Sequence, residues 1–128
     1  MIYLDTNVLV RLITGDNPAQ AEQAMQTIEQ AAANTFLVTD AILVELCFVL
    51  EYHASAMARQ DIADAITALL SAPQITATPD TMATLSLYRA HPKLDYADCL
   101  LYVLGGKQGV FTFDTVLQRT LLPDTKAL

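Results

Sequence analysis

Four carboxylates stand where a carboxylate needs a reason. Asp5 follows the apolar run Ile2-Tyr3-Leu4, and Asp114 closes Val110-Phe111-Thr112-Phe113. Glu45 is alone among apolar residues in Ala41-Ile42-Leu43-Val44-Glu45-Leu46-Cys47-Phe48-Val49-Leu50, and Asp98 repeats that pattern within Tyr96 to Tyr102. Burying an unpaired carboxylate is costly. No Lys or Arg lies within two helical turns of Glu45, so a cation or a distant base must compensate. Asp95 precedes Asp98 by one turn, and two acids at that spacing share a helix face and repel unless a cation intervenes. Hard divalent cations take oxygen ligands, and Mg²⁺ uses few protein carboxylates while keeping several waters. No His–Cys cluster points to zinc. A cation seated this way could orient a water and stabilise the leaving oxygen of a phosphodiester.

Each acid also has a plainer reading. Asp5 can cap a helix running from Thr6 to Ile13, and Asp114 can cap or turn the chain that follows it. Asp95 and Asp98 can be first-turn acids favoured by the helix dipole. Glu45 can point out through a polar seam, for instance toward Arg11.

The elements that must position these residues alternate between strand and helix. Ile2–Leu4 reads as a short strand. Val8, Leu9, Leu12 and Ile13 recur at helical spacing until Gly15. Asp16-Asn17-Pro18 starts a second helix whose inner face holds Ala21, Ala24, Met25 and Ile28. Phe36–Val38 is a buried strand, and Thr39 or Asp40 caps the helix running to Tyr52. After a turn at His53–Ser55, Ile62, Ala65, Ile66, Leu69 and Leu70 mark an amphipathic helix that Pro73 ends. Gln74–Ala77 is a strand. Thr78-Pro79-Asp80 opens a helix carrying Met82, Leu85 and Tyr88, broken at His91-Pro92. Asp95 starts a helix through Leu104, closed by Gly105-Gly106 and Gly109. Val110–Phe113 reads as a strand, and the tail as a helical turn with an edge strand near Ala127. This alternation argues for an α/β fold with a mainly parallel sheet in a single domain, residues 1–128. In such sheets ligands bind beyond the carboxyl ends of the strands, and Asp5 and Asp114 would meet there if their strands were central neighbours.

The bulk of the chain sets limits. Its 128 residues suit one domain. Net charge is −7, so the protein should repel a polyanion unless cations or a basic partner intervene. Cys47 and Cys99 lie in apolar helical runs and read as buried free thiols of a reducing cytoplasm. No signal peptide and no membrane span are expected. His53 and His91, near helix breaks, read as surface or capping residues. GGKQG lacks the spacing and the Lys-Ser/Thr end of a phosphate-binding loop. Arg11 and Lys93 are the cations best placed by sequence to meet a phosphate, although solvated surface charge explains them equally simply.

Taken together, Leu4-Asp5-Thr6-Asn7, Val44-Glu45-Leu46, Asp95-Tyr96-Ala97-Asp98 and Thr112-Phe113-Asp114 resemble the PIN domain, and within it the VapC-type toxins of toxin–antitoxin pairs. The resemblance runs in order from residue 2 to about residue 117. It implies a three-layer α/β/α sandwich with a roughly five-stranded, mainly parallel sheet. It also implies Mg²⁺-dependent endoribonuclease activity (with Mn²⁺ able to substitute), an RNA substrate, a homodimer and an antitoxin partner. Asp5, Glu45, Asp98 and Asp114 match the acidic metal site, Asp95 a more variable acid beside it, and Asn7 and Thr112 the polar residues that position ligands. Thr115-Val116-Leu117 departs from the more polar residues usual there, which bears on the substrate rim.

Two other readings compete. The fold could serve as a catalytically weak binding module whose acidic pocket holds a basic partner segment, which the negative charge favours. A phosphoryl-transfer domain on another α/β fold is the third. Against it, Asp5-Thr6-Asn7 lacks the DxD of haloacid-dehalogenase-like phosphatases, and Thr112-Phe113-Asp114 offers no lysine for a receiver domain.

Overall fold

The computed structural model describes residues 1–53 and 57–122, apart from the side chain of Lys107. The chain divides into two units, Met1–Thr78 and Pro79–Leu128.

The first unit is a parallel α/β arrangement. Strands β1 (Ile2–Tyr3), β2 (Phe36–Val38) and β3 (Ile75–Ala77) lie in the order β1-β2-β3, with Ile2 opposite Phe36 and Phe36 opposite Ile75. Parallel neighbours need long crossovers, and here each crossover is a pair of helices. Helices α1 (Thr6–Thr14) and α2 (Pro18–Glu29) join β1 to β2, and α3 (Asp40–Tyr52) and α4 (Arg59–Leu70) join β2 to β3.

The helix boundaries follow from local chemistry. Gly15 ends α1 at φ 63°, a left-handed conformation that costs glycine little, and its N–H donates to the Arg11 carbonyl. Asn17 caps α2 with Pro18 at its start. The α3 cap is Thr39, whose hydroxyl accepts from the Ile42 N–H at 3.4 Å. α4 ends at Leu70, ahead of Pro73.

The core of this unit is aliphatic. Val38 from the middle strand, Leu43, Leu46 and Leu50 from α3, and Ile62 and Ile66 from α4 are all fully buried. Helix α3 packs against α1 on one side and α4 on the other. Met25, expected on the inner face of α2, is instead half exposed, because that helix buries only Ile28.

The second unit is helical. Helices α5 (Thr81–Ala90) and α6 (Tyr96–Gly105) pack together, and Tyr88 meets Tyr96 edge to face at 5.9 Å. A 3₁₀ turn at Gly106–Gln108 follows, and α7 spans Thr115–Leu121. Gly105 completes α6 rather than stopping it; Gly106 is the cap. Met82, like Met25, is exposed.

The five-stranded expectation is corrected here: among the described residues the sheet has three strands. Val110–Phe113 pairs with no strand among the described residues. Thr112 instead makes local bonds: its hydroxyl accepts from the Asp114 N–H at 3.0 Å, and its carbonyl accepts from the Gln118 side-chain amide at 2.8 Å. Phe111 and Phe113 stay exposed and meet edge to face at 5.3 Å. The edge strand expected near Ala127 and part of the His53–Ser55 turn lie outside the described residues. Cys47 and Cys99 are buried and not joined in a disulfide, as expected. No helix among the described residues is long and apolar enough to cross a membrane.

Candidate functional site

In the first unit, polar residues collect where parallel strands end. Leu4 extends the β1 ladder by donating to the Leu37 carbonyl, and Asp5 follows it as the N-cap of α1. Asp5 Oδ1 accepts from the Thr6 N–H at 2.8 Å, so the capping reading is correct. That cap occupies one carboxylate oxygen and fixes its rotamer; Oδ2 takes no part in it. A carboxylate offers about four acceptor positions, so capping and ligand binding are compatible. Next to it, the Thr6 hydroxyl is buried with no hydrogen-bond partner among the described residues. Asp40, just past β2, accepts from the Thr78 hydroxyl just past β3 at 3.0 Å. Sequence reasoning treated Asp40 only as a possible cap; the tie between two strand ends needs their pairing to be known.

Glu45 is not buried, which overturns the premise on which its cost was argued. Helix α3 buries Leu43, Leu46, Cys47 and Leu50, while Ala41, Glu45, Phe48 and Tyr52 form one exposed stripe. The residues around Glu45 in sequence are therefore not its neighbours in space. Phe48 stacks on Tyr52 and on His53 along that stripe. Arg11 does not reach toward Glu45. Its guanidinium pairs with Asp16 at 3.1 Å and donates to the Gln20 side chain at 2.9 Å, which joins the last turn of α1 to the first turn of α2. Asn7 is exposed on the first turn of α1.

In the second unit, Asp95 and Asp98 form a reciprocal capping box at the start of α6. The Asp98 N–H donates to Asp95 Oδ1 at 2.8 Å, and the Asp95 N–H donates to Asp98 Oδ2 at 3.2 Å. Asp98 is half-buried, and its carboxyl is held above the ordinary carboxylate value of 3.8. Desolvation is the main cause. The Asp95 backbone hydrogen bond opposes it, while the Asp95 charge, an Asp95 side-chain hydrogen bond and the Asp114 charge add to it. Asp114 caps α7, with Oδ1 accepting from Val116 and Leu117 at 2.9 and 3.0 Å. Thr112 therefore positions Asp114 through its hydroxyl, and Gln118, which no sequence signal singled out, anchors Thr112 in turn. Lys93 is exposed, two residues before Asp95.

The Asp114 cap yields a prediction. Asp114→Ala should lower stability by about 1 kcal/mol, whereas Asp114→Asn, which still accepts, should change it by a few tenths at most. Urea unfolding of both variants in chelator measures the difference.

Within neither unit do three or more His, Cys, Asp or Glu side chains form a ready-made metal-ligand group among the described residues. The donor chemistry nonetheless suits a hard divalent cation. The donors are carboxylate and hydroxyl oxygens, with no thiol or imidazole among them, and Asp98 sits in a negative field that a cation would relieve.

Parallel strands joined by helices place the chain in the α/β class, in which ligands bind beyond the carboxyl ends of the strands. Which member of that class it is follows from comparison: the PIN domain model matches residues 2–120, and the chain belongs to the PIN domain family. PIN domains are usually nucleases and typically use divalent metal ions. Neither the curated proteins nor the solved structures compared with the chain give a match.

Proposed function

We propose that the chain is a metal-dependent endoribonuclease, the toxin of a toxin–antitoxin pair, and that Asp5, Glu45, Asp98 and Asp114 hold its cation. The observation that carries this reading is the carboxylate neighbourhood of the second unit. Partial burial, with the Asp95 and Asp114 charges adding to it, holds the Asp98 carboxyl above its ordinary value. The capping bonds of these acids offset part of the cost of placing them together, and a hard cation would be drawn to the negative field that remains. When bound, Mg²⁺, or Mn²⁺ in its place, supplies the charge that activates water and stabilises the leaving oxygen of a phosphodiester.

The chain's own residues do the rest. The caps on Asp5, Asp98 and Asp114 hold their carboxylates in single rotamers before any cation arrives, which lowers the cost of ordering them. Asp95 braces Asp98, Thr112 braces Asp114, and Asn7 offers an amide beside Asp5. Arg11 is committed to Asp16, which leaves Lys93 as the better phosphate contact of the two. The same reading takes RNA as substrate, an antitoxin protein as partner, a homodimer as the assembly, a single PIN-like α/β/α domain as the fold and the cytoplasm as the location.

The test is a nuclease assay on the purified chain with structured RNAs. Cleavage should require Mg²⁺ or Mn²⁺ and stop with EDTA. Asp5→Asn and Glu45→Gln should each slow it by about a hundredfold or more, since a cation site supplies several kcal/mol and 1.36 kcal/mol is tenfold. Glu45 is exposed, so Glu45→Gln should fold normally. Cleavage that survives EDTA, or that is unchanged in both variants, overturns the proposal.

A further inference from the structure

Within the first unit a cleft of about 410 Å³ opens between α1 and α2. Its floor is apolar: Val8, Ala24, Ile28 and Phe36 line it. Its rim carries the neutral amides of Asn7, Gln20 and Gln23. The cation at the rim, Arg11, is already matched by Asp16 at 3.1 Å and by the Gln20 oxygen at 2.9 Å. The cleft therefore offers no unmatched charge. It suits a flat, neutral group with apolar faces and a hydrogen-bonding edge, in a volume typical of small-ligand sites.

We infer that this cleft is a base-binding subsite that takes an unpaired nucleobase of the RNA substrate, an inference that rests on the nuclease reading above. Two further observations favour that occupant. Asn7 lies on the rim and stands two residues after Asp5, so a base seated here belongs to a strand passing the end of β1. The chain also carries a net charge of −7 with only seven Lys and Arg, so attraction of the phosphate backbone is weak. Without a cation, uncharged contacts have to carry a larger share of the RNA affinity of so acidic a chain, and single-stranded RNA supplies them through base faces and base edges. Asn and Gln side chains carry both a donor and an acceptor and can meet a base edge in two bonds.

The experiment separates this inference from the nuclease reading by working without cleavage. A short, unstructured, labelled RNA is titrated in EDTA against the wild type, Ala24→Phe and Gln23→Ala, with anisotropy as the readout. In parallel the four nucleosides, which carry no phosphate, are added to ¹⁵N-labelled protein. Ala24→Phe fills the cleft and should weaken the RNA by about tenfold or more, the loss of one stacked base. Gln23→Ala, at an exposed rim position that leaves the fold intact, should weaken it severalfold. At least one nucleoside should shift the amide signals of Val8, Ala24 and Gln23, and the RNA affinity should vary little with salt. Unchanged RNA affinity in both variants overturns the inference even if metal-dependent cleavage is intact. So does a cleft that ignores all four nucleosides but responds to an amphipathic leucine-rich peptide, which would make it a protein-docking groove. Nucleoside shifts in the cleft of a chain that cleaves nothing would keep the base site and remove the nuclease.

Discussion

Asp98→Asn is expected to reduce metal-dependent RNA cleavage by at least about a hundredfold and, in chelator near neutral pH, to raise the melting temperature. The two effects share a cause. In the folded chain Asp98 is partly desolvated and faces the charges of Asp95 and Asp114, so its carboxyl is held above 3.8. A carboxyl whose folded-state value is raised binds its proton more tightly when folded. Its contribution to stability is fully present below the ordinary value of 3.8 and is lost as pH rises through the raised one. At neutral pH the wild type therefore carries a penalty that a neutral asparagine removes. Asparagine keeps an acceptor for the Asp95 N–H, so the capping box survives. Solvent screens the group, so the gain should be only about 1–3 °C. Melting curves in EDTA across acid to neutral pH check the sign: the variant's advantage should vanish in acid. Adding Mg²⁺ should reverse the ranking, because a cation bound only by the folded wild type stabilises it by mass action. A variant no more stable than wild type at any pH would show that the crowding at Asp98 costs the fold nothing.

Leu46→Ala should be the most damaging single truncation to stability, at about 2–5 kcal/mol. Leu46 is fully buried in α3, a helix that packs against both α1 and α4, so a cavity there has no flexible side through which to collapse. For a chain of this length that loss lowers the melting temperature by roughly 10 °C. The informative control is the preceding residue. Glu45→Gln lies on the exposed face of the same helix and should leave the melting temperature within about 1 °C while removing cleavage. Thermal unfolding and the nuclease assay, run on both variants, should therefore separate cleanly: one loses stability, the other activity. If Leu46→Ala melts within a degree or two of wild type, the core assigned to α3 is wrong.

Much of the fold could be read from local chemistry, because helix and strand ends are written in short-range signals. Gly15 stops α1, Asn17-Pro18 starts α2, Phe36–Val38 is a strand, and Asp95 starts α6. Each depends on the conformational preferences of a few adjacent residues. The carboxylates Asp5, Asp98 and Asp114 were findable for the same reason, since each stands at a boundary between elements. Gln118 and the Asp40–Thr78 tie were not, because each joins residues whose meeting no local pattern announces.

Where the order of residues failed, a neighbour in space decided the outcome. A uniformly apolar run cannot say which stripe of a helix turns inward, so Glu45 read as buried although it is exposed beside Phe48 and Tyr52. Val110–Phe113 has the composition of a buried strand, yet a strand exists only where another backbone pairs with it, and among the described residues none does. Residue types and spacing thus determined the elements, their caps and the acids available for chemistry. Packing alone decided which faces are covered, how far the sheet extends and which side chains brace the acids, because those depend on contacts between residues distant in the chain.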